Sequence, residues 1–452
     1  MPSPPAALPP RHRRRWYRPR ISLRALMILV AVVAVPAGWV ASTIRTQRRA
    51  IEAVRGAGGI LRFDFQSQDR PLAARRRMPP SAPPPGPEAP RWLRDRLGDE
   101  LFQAVRRATL PSPASGSVLA ALGDFAQLER LDLHGTIAAP GWADHLRGLR
   151  RLVEVHLDGV DLAEADFTEV ARLPAVRTLE VNRTLMADAG FLRLAAHPTL
   201  ARLTITDCTR LTDAGAARLL AGLPGLRSFR WINGPASLAH SLAALVRHHP
   251  DLESLELARC GVLASDLDLL GKLPHLRSLT LREVPITGGD LARLRAPASL
   301  RRLELTLPGL ADESLAGCAS APSLRELVLN ETDVTGAGLA RLAPLTTLTR
   351  LNLADSRLAD ADLRALAPLT HLDHLTLSRA RRITGAGLAA LRPLRDLRRL
   401  DLDETRLADP GLAPLHALIN LRSLDLRATS VTPAGVAALR RALPALEIGT
   451  PY

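Results

Sequence analysis

The chain has 452 residues, 46% apolar, 23% charged and 3% aromatic, with three cysteines and a formal charge of +15. The apolar fraction can fill a core and excludes disorder throughout, while three cysteines without a paired Cys-x-x-Cys exclude a disulfide-stapled or zinc-stapled scaffold. Residues 1–100 hold 19 arginines against 7 acids, a net of +12, so the remainder is near neutral at +3 and lacks the basic face with interleaved aromatics of a nucleic-acid binder.

The first 20 residues form a basic tail, read as cytoplasmic. Residues 21–44 read as a transmembrane helix: Ala25 to Ile44 is a run of twenty uncharged residues, about 30 Å as a helix and so about one hydrocarbon thickness. Trp16, Tyr17 and Trp39 sit where amphipathic rings favour the two membrane interfaces, and Arg24 can snorkel. Seven arginines precede the run and four come after it by Arg55, a bias that predicts a cytoplasmic N-terminus and an extracytoplasmic remainder. The alternatives are a signal peptide cleaved after Ala37 and a buried soluble helix.

Residues 45–68 predict a basic juxtamembrane helix, ended by Gly56, Gly58 and Gly59, and then a short strand over Ile60, Phe63 and Phe65. Residues 69–91 are a proline-rich linker. Seven prolines between 78 and 90 predict an extended, semi-rigid spacer. Residues 92–127, with a half-unit at Val105, Ala108 and Leu110, are expected to cap the N-terminal end of an array that begins at Leu128.

From 128 to 452 the pattern L-x-x-L-x-L returns thirteen times, beginning at Leu128, Leu152, Val176, Leu200, Leu226, Leu252, Leu276, Leu300, Leu324, Leu348, Leu372, Leu397 and Leu421. Spacings of 24 to 26 residues fall within the range of leucine-rich repeats. Leu-x-Leu alternation predicts a strand with leucines inward. A ninth position holds Thr136, Thr184, Cys208, Cys260, Thr332, Ser356, Thr405 or Thr429. The segments VTGAGLARLAPL from Val334 and ITGAGLAALRPL from Ile383 then predict a threonine N-cap and a short amphipathic helix.

These motifs resemble the leucine-rich repeat family, and the T-D-A-G at Thr212–Gly215 resembles its cysteine-containing and ribonuclease-inhibitor-like subtypes, which occur in F-box substrate adaptors. The chain is also similar to bacterial membrane-anchored repeat proteins. The resemblance implies an α/β solenoid with a curved parallel sheet on its concave side and short helices outside. Because no unit buries its leucines alone, the units must stack; strands about 4.8 Å apart give a wall on the order of 60 Å long.

Strand positions five and seven point outward and stack. They bring Asp132, His134, His156 and Asp158 into one square, bordered by Glu154, Glu180 and Asn182, whose donor types could bind a divalent metal and whose simplest reading is a solvated polar surface. The fifth positions Asp132, His156, Glu180, Arg230, Glu256, Glu304, Asn352, Asp401 and Asp425 are candidate partner contacts, with Arg302, Arg350 and Arg399 two residues before three of them. The 26-residue units between Leu200 and Leu252 place Phe229 and Trp231 at leucine positions and add His240, His248 and His249; they present a loop to a partner or fill core. Cys208 and Cys260, two units apart, are expected beyond disulfide reach in a buried polar ladder. No His-Glu-x-x-His, Gly-x-Ser-x-Gly or phosphate loop occurs. The sequence therefore predicts noncatalytic, cofactor-free recognition of a protein partner from a membrane anchor; the alternatives are a structural or adhesion component binding envelope polysaccharide, and an intracellular adaptor.

Overall fold

The computed structural model describes residues 23–63, 104–112, 114–135, 141–160, 164–307 and 309–450. A single sheet of sixteen strands runs in strict chain order, from β1 (Ile60–Phe63) and β2 (Val105–Leu110) through β3 (Arg130–His134) to β16 (Glu447–Gly449). All neighbours from β2 onward pair in parallel without a register shift, so Leu351 stands beside Leu327 and Leu375. Each unit returns through a short helix on one side of the sheet, which a parallel pair requires.

The leucine pattern explains why the units hold together. Leu348, Leu351 and Leu353, at positions one, four and six of one unit, are at most 1% exposed, and their counterparts form one core running the length of the sheet. Each such side chain contributes about 1.5–3 kcal/mol on burial, and the contribution exists only when a neighbouring unit covers it.

The return segments are more varied than the threonine-cap expectation. Thr212, Thr287, Thr335 and Thr432 cap α-helices, accepting from Gly215, Asp290, Ala337 and Gly435 N–H groups. Thr384 does not: its hydroxyl donates to Asp360 of the preceding unit, Gly385 turns left-handed, and Ala386–Leu391 is a 3-10 turn. The 26-residue units use their extra length for ten-residue helices, Asp213–Gly222 and Ala239–His248. Phe229 and Trp231 fill the core beneath them edge to face, 5.9 Å apart.

Position eight of twelve units has positive φ. Only Gly135 and Gly159 are glycines there; the rest include Arg183, Asn233, Glu331 and Ala428. A left-handed non-glycine residue costs roughly 1–2 kcal/mol. The conformation turns the position-eight N–H toward the next strand, as in the 2.8 Å bond from Arg183 to the Thr206 carbonyl, which offsets part of that cost.

At the N-terminal end, Leu23–Gly56 form one helix, α1, of 34 residues, continuous from the uncharged run through the basic segment Arg45–Arg55. β1 comes next and pairs antiparallel with β2, Leu61 opposite Ala108. Ala50, Ile51 and Val54 of α1 are buried in the same core as Leu61, Phe63 and the following helix α2 (Gly116–Leu122). The proline-rich linker lies outside the described residues, but the chain that contains it leaves from β1 and returns to β2, two hydrogen-bonded strands. Its length therefore does not set the distance from α1 to the repeats.

Candidate functional site

The open face of the sheet carries the side chains at positions three, five and seven, which the burial alternation leaves half exposed beside buried leucines. The expected square is present in register, with Asp132 opposite His156 and His134 opposite Asp158. Its side chains divide into two ion-paired groups. Asp132 takes the Arg130 guanidinium at 2.9 Å, and His156 Nδ1 lies 2.8 Å from Glu180 and 3.7 Å from Asp132. Asp158 takes Arg183 at 2.6 Å, with His134 at 3.4 Å. Both carboxylates of the square thus face a guanidinium, which opposes a cation, and among the described residues no group of three or more His, Cys, Asp and Glu side chains is placed to hold a metal ion. Hydrogen bonding from Arg183 holds the Asp158 carboxyl below its usual range, and that from His156 does the same for Glu180.

Beyond the square, Arg230 lies 3.1 Å from Glu256, which also faces Arg282 at 3.8 Å. His156 Nε2 and Arg230 Nε are buried without a hydrogen-bond partner in the chain, and so is Asn182 Oδ1. A buried donor or acceptor left unmade costs about 1–3 kcal/mol, so these atoms favour any ligand or water that reaches them.

Farther along, the structure gathers Glu304, Asn352 and Asp401 into one groove of about 440 Å³, lined also by Arg282, Arg302, Glu326, Arg350, His374 and Arg399. Glu304 is only 7% exposed and sits between Arg282 and Arg302, each at 2.7 Å. Arg399 reaches Asp401 at 3.3 Å, whereas Arg350 lies 4.0 Å from Glu326 and remains 57% exposed at its side chain. Asp425 lies at the far end of the row, where burial raises its carboxyl pKa less than the hydrogen bonds from Arg427 and the charges of Arg427 and Arg399 together lower it. Sequence reasoning missed Arg282, Glu326 and His374 as groove residues because they occupy positions seven and three; the period-2 alternation places them on the same face as position five and could have found them.

Of the described ninth-position residues named above, all but the half-buried Thr429 are buried. Cys260 donates to the Trp231 carbonyl at 3.3 Å, Thr405 to the Leu402 carbonyl at 2.7 Å, and Thr184 and Cys208 meet at 3.6 Å; Thr136 lies outside the described residues. His249, at the end of its helix, is buried against the Leu220 carbonyl at 2.7 Å, while His240 is exposed and paired with Asp213 at 2.9 Å. Trp16 and Tyr17 lie outside the described residues, as do the side chains of Arg24 and Trp39, whose backbone belongs to α1.

Residues 345–367 match the Leucine Rich repeat family model, and that match falls on one of thirteen units sharing the same register. The chain is a leucine-rich repeat protein. No curated protein sequence matches it. Among solved structures it is similar to an internalin from Listeria monocytogenes, at 17% identity over 79% of this chain and 92% of that one, TM-score 0.44. It is also similar to a leucine-rich repeat protein of Leptospira interrogans, at 18% identity over 76% and 93%, TM-score 0.40. Yeast Rad7 in its complex with Elc1 aligns at 18% identity over 95% and 98%, TM-score 0.47.

Proposed function

We propose that this is a noncatalytic recognition protein, anchored in a membrane by α1, that binds a protein partner through the open face of its repeat sheet. The observation that carries the reading is the groove at Glu304, Asn352 and Asp401, where opposite charges interleave around an exposed Arg350. Interleaved charge of this kind selects a partner of complementary pattern more than it adds bulk affinity. Anchoring is supported by the uncharged run Ala25–Ile44 within one 34-residue helix, where Met27 and Val32 stand 65% and 63% exposed. Among the described residues no helix is long and apolar enough to cross a membrane, and most side chains of that run lie outside them. The span therefore rests on its sequence. The arginine bias supports a cytoplasmic N-terminus with the repeats on the other side.

Two measurements test the proposal. Protease added to cells with a permeabilised outer barrier digests the repeats if they are extracytoplasmic; protection there, with cleavage after lysis, reverses the topology and favours an intracellular adaptor. Cross-linking of wild type and Arg350→Glu in parallel yields protein adducts that the variant loses while its melting is unchanged. Retention on cell-wall material without protein adducts replaces the protein-binding reading with a polysaccharide-binding adhesion component.

A further inference from the structure

The sheet has two long edges, one where strands start and one where they end, and α1 joins only one of them to the apolar run. β1 begins with Ile60 opposite Thr109, near the end of β2, and the turn before it packs against that end: Gly59 N donates to the Val54 carbonyl at 2.8 Å, and a Cβ on Gly58 would lie 3.7 Å from Pro111. From this strand-end edge α1 runs back alongside β1. The Arg55 guanidinium lies 5.8 Å above the ring of Phe63, which pairs with Val105 at the start of β2. Among the described side chains Ala50 is the last buried one in that direction, and Arg48 and Arg49 beyond it are exposed. The run Ala25–Ile44 therefore leaves the molecule on the strand-start side.

That same edge is rich in arginine. Arg150, Arg151 and Arg177 are exposed, make no ion pair among the described residues, and line a cleft of about 540 Å³ with Thr199 and Glu129. Glu129 is itself paired with Arg106. The cleft lies two to five strands from β1, on the order of 10–25 Å from it along the sheet. Arg301, Arg325 and Arg398 continue the edge as exposed residues at the position equivalent to Arg177. The opposite edge carries Asp188, Asp312, Asp360 and Asp409, each bonded to a threonine of the next unit.

We infer that the strand-start edge is a membrane-docking surface, and that the Arg150, Arg151 and Arg177 cleft receives the headgroups of anionic phospholipids. The inference rests on the anchoring reading above. With α1 crossing the bilayer and leaving the repeats at this edge, the arginine edge is the one turned toward the headgroups. Basic side chains within a Debye length of an anionic surface are attracted to it, and guanidinium forks match phosphate oxygens.

The test is hydrogen–deuterium exchange of the full chain in nanodiscs of phosphatidylcholine, with and without phosphatidylglycerol. Peptides covering 147–153 and 174–178 are expected to exchange roughly threefold more slowly over anionic lipid, with no change at 207–213 on the opposite edge. Raised salt and the triple variant Arg150→Glu, Arg151→Glu, Arg177→Glu abolish the difference. Protein that resists carbonate extraction but shows equal exchange in both discs overturns the docking surface and leaves the anchor standing. Equal protection by inorganic phosphate over phosphatidylcholine alone overturns it in favour of a free-anion site. Release by carbonate overturns the anchor and the inference together.

Discussion

Asp360 of one unit accepts a 2.6 Å hydrogen bond from the hydroxyl of Thr384, twenty-four residues later in the next, and further bonds from the Thr384, Gly385 and Gly387 N–H groups. The same latch joins Asp188 to Thr212, Asp312 to Thr335 and Asp409 to Thr432. It fastens successive units along the strand-end edge, independently of the leucines.

Asp360→Ala leaves those donors without their acceptor and is expected to destabilise the array by roughly 1–3 kcal/mol, with Asp360→Asn intermediate. Urea titration followed by circular dichroism measures it, and a midpoint unchanged in Asp360→Ala would show that the latch is not holding the units. Burial raises the Asp360 pKa, and the hydrogen bonds outweigh it, so the folded value lies below the ordinary one. Its contribution is present above the unfolded carboxyl range near pH 4 and is lost as pH falls through the folded value.

Ala428 tests the left-handed turns. It is exposed at φ 52°, so Ala428→Gly relieves strain without opening a cavity and should stabilise by up to about 1 kcal/mol after the extra entropy of glycine in the unfolded chain. A lowered melting temperature contradicts the strain argument.

Two buried histidines give the fold an acid sensitivity. Burial lowers the pKa of His197 and of His249 below the ordinary value, more than their hydrogen bonds to backbone raise it. The unfolded chain then binds protons first, so stability is full above about pH 6.5 and falls as pH drops from there toward the folded values. Melting at pH 7.5 and 5.5 measures the slope. His249→Gln is expected to flatten it, and an unaltered slope in both His249→Gln and His197→Gln assigns the effect elsewhere.

The cysteines are expected to be inert in the folded chain. All three are free and buried, and burial pushes Cys260 up to about 11 and Cys318 up to about 12, with Cys208 raised in the same direction. A thiol-reactive reagent at pH 8 should label none in the folded state and three in urea. Rapid labelling in the native state would place a sulfur outside the ladder.

The sheet register was legible because leucines or other large apolar residues at positions one, four and six repeat thirteen times, and only one pairing buries them all. The outward row at position five came from the same alternation. The latch was not legible as such: T-D-A-G reads as a helix cap, and the sequence does not say whether Thr384 bonds within its unit or to Asp360 of the preceding one. The left-handed eighth position was equally hidden, since arginine, glutamate and alanine there give no conformational signal. β1 pairs four residues with a strand more than forty residues away, in the opposite direction to every other described pair, and no periodicity announces such a contact.

The seating of Ala50, Ile51 and Val54 in the repeat core has a mechanical consequence. A helix joined to its domain by a swivelling tether can spin about its axis without moving its load. Here a twist of α1 by any angle must carry the sheet through the same angle, so a wall on the order of 60 Å long sweeps an arc around the helix, and its far end travels farthest. The open face and whatever it holds are steered by the rotation of one helix.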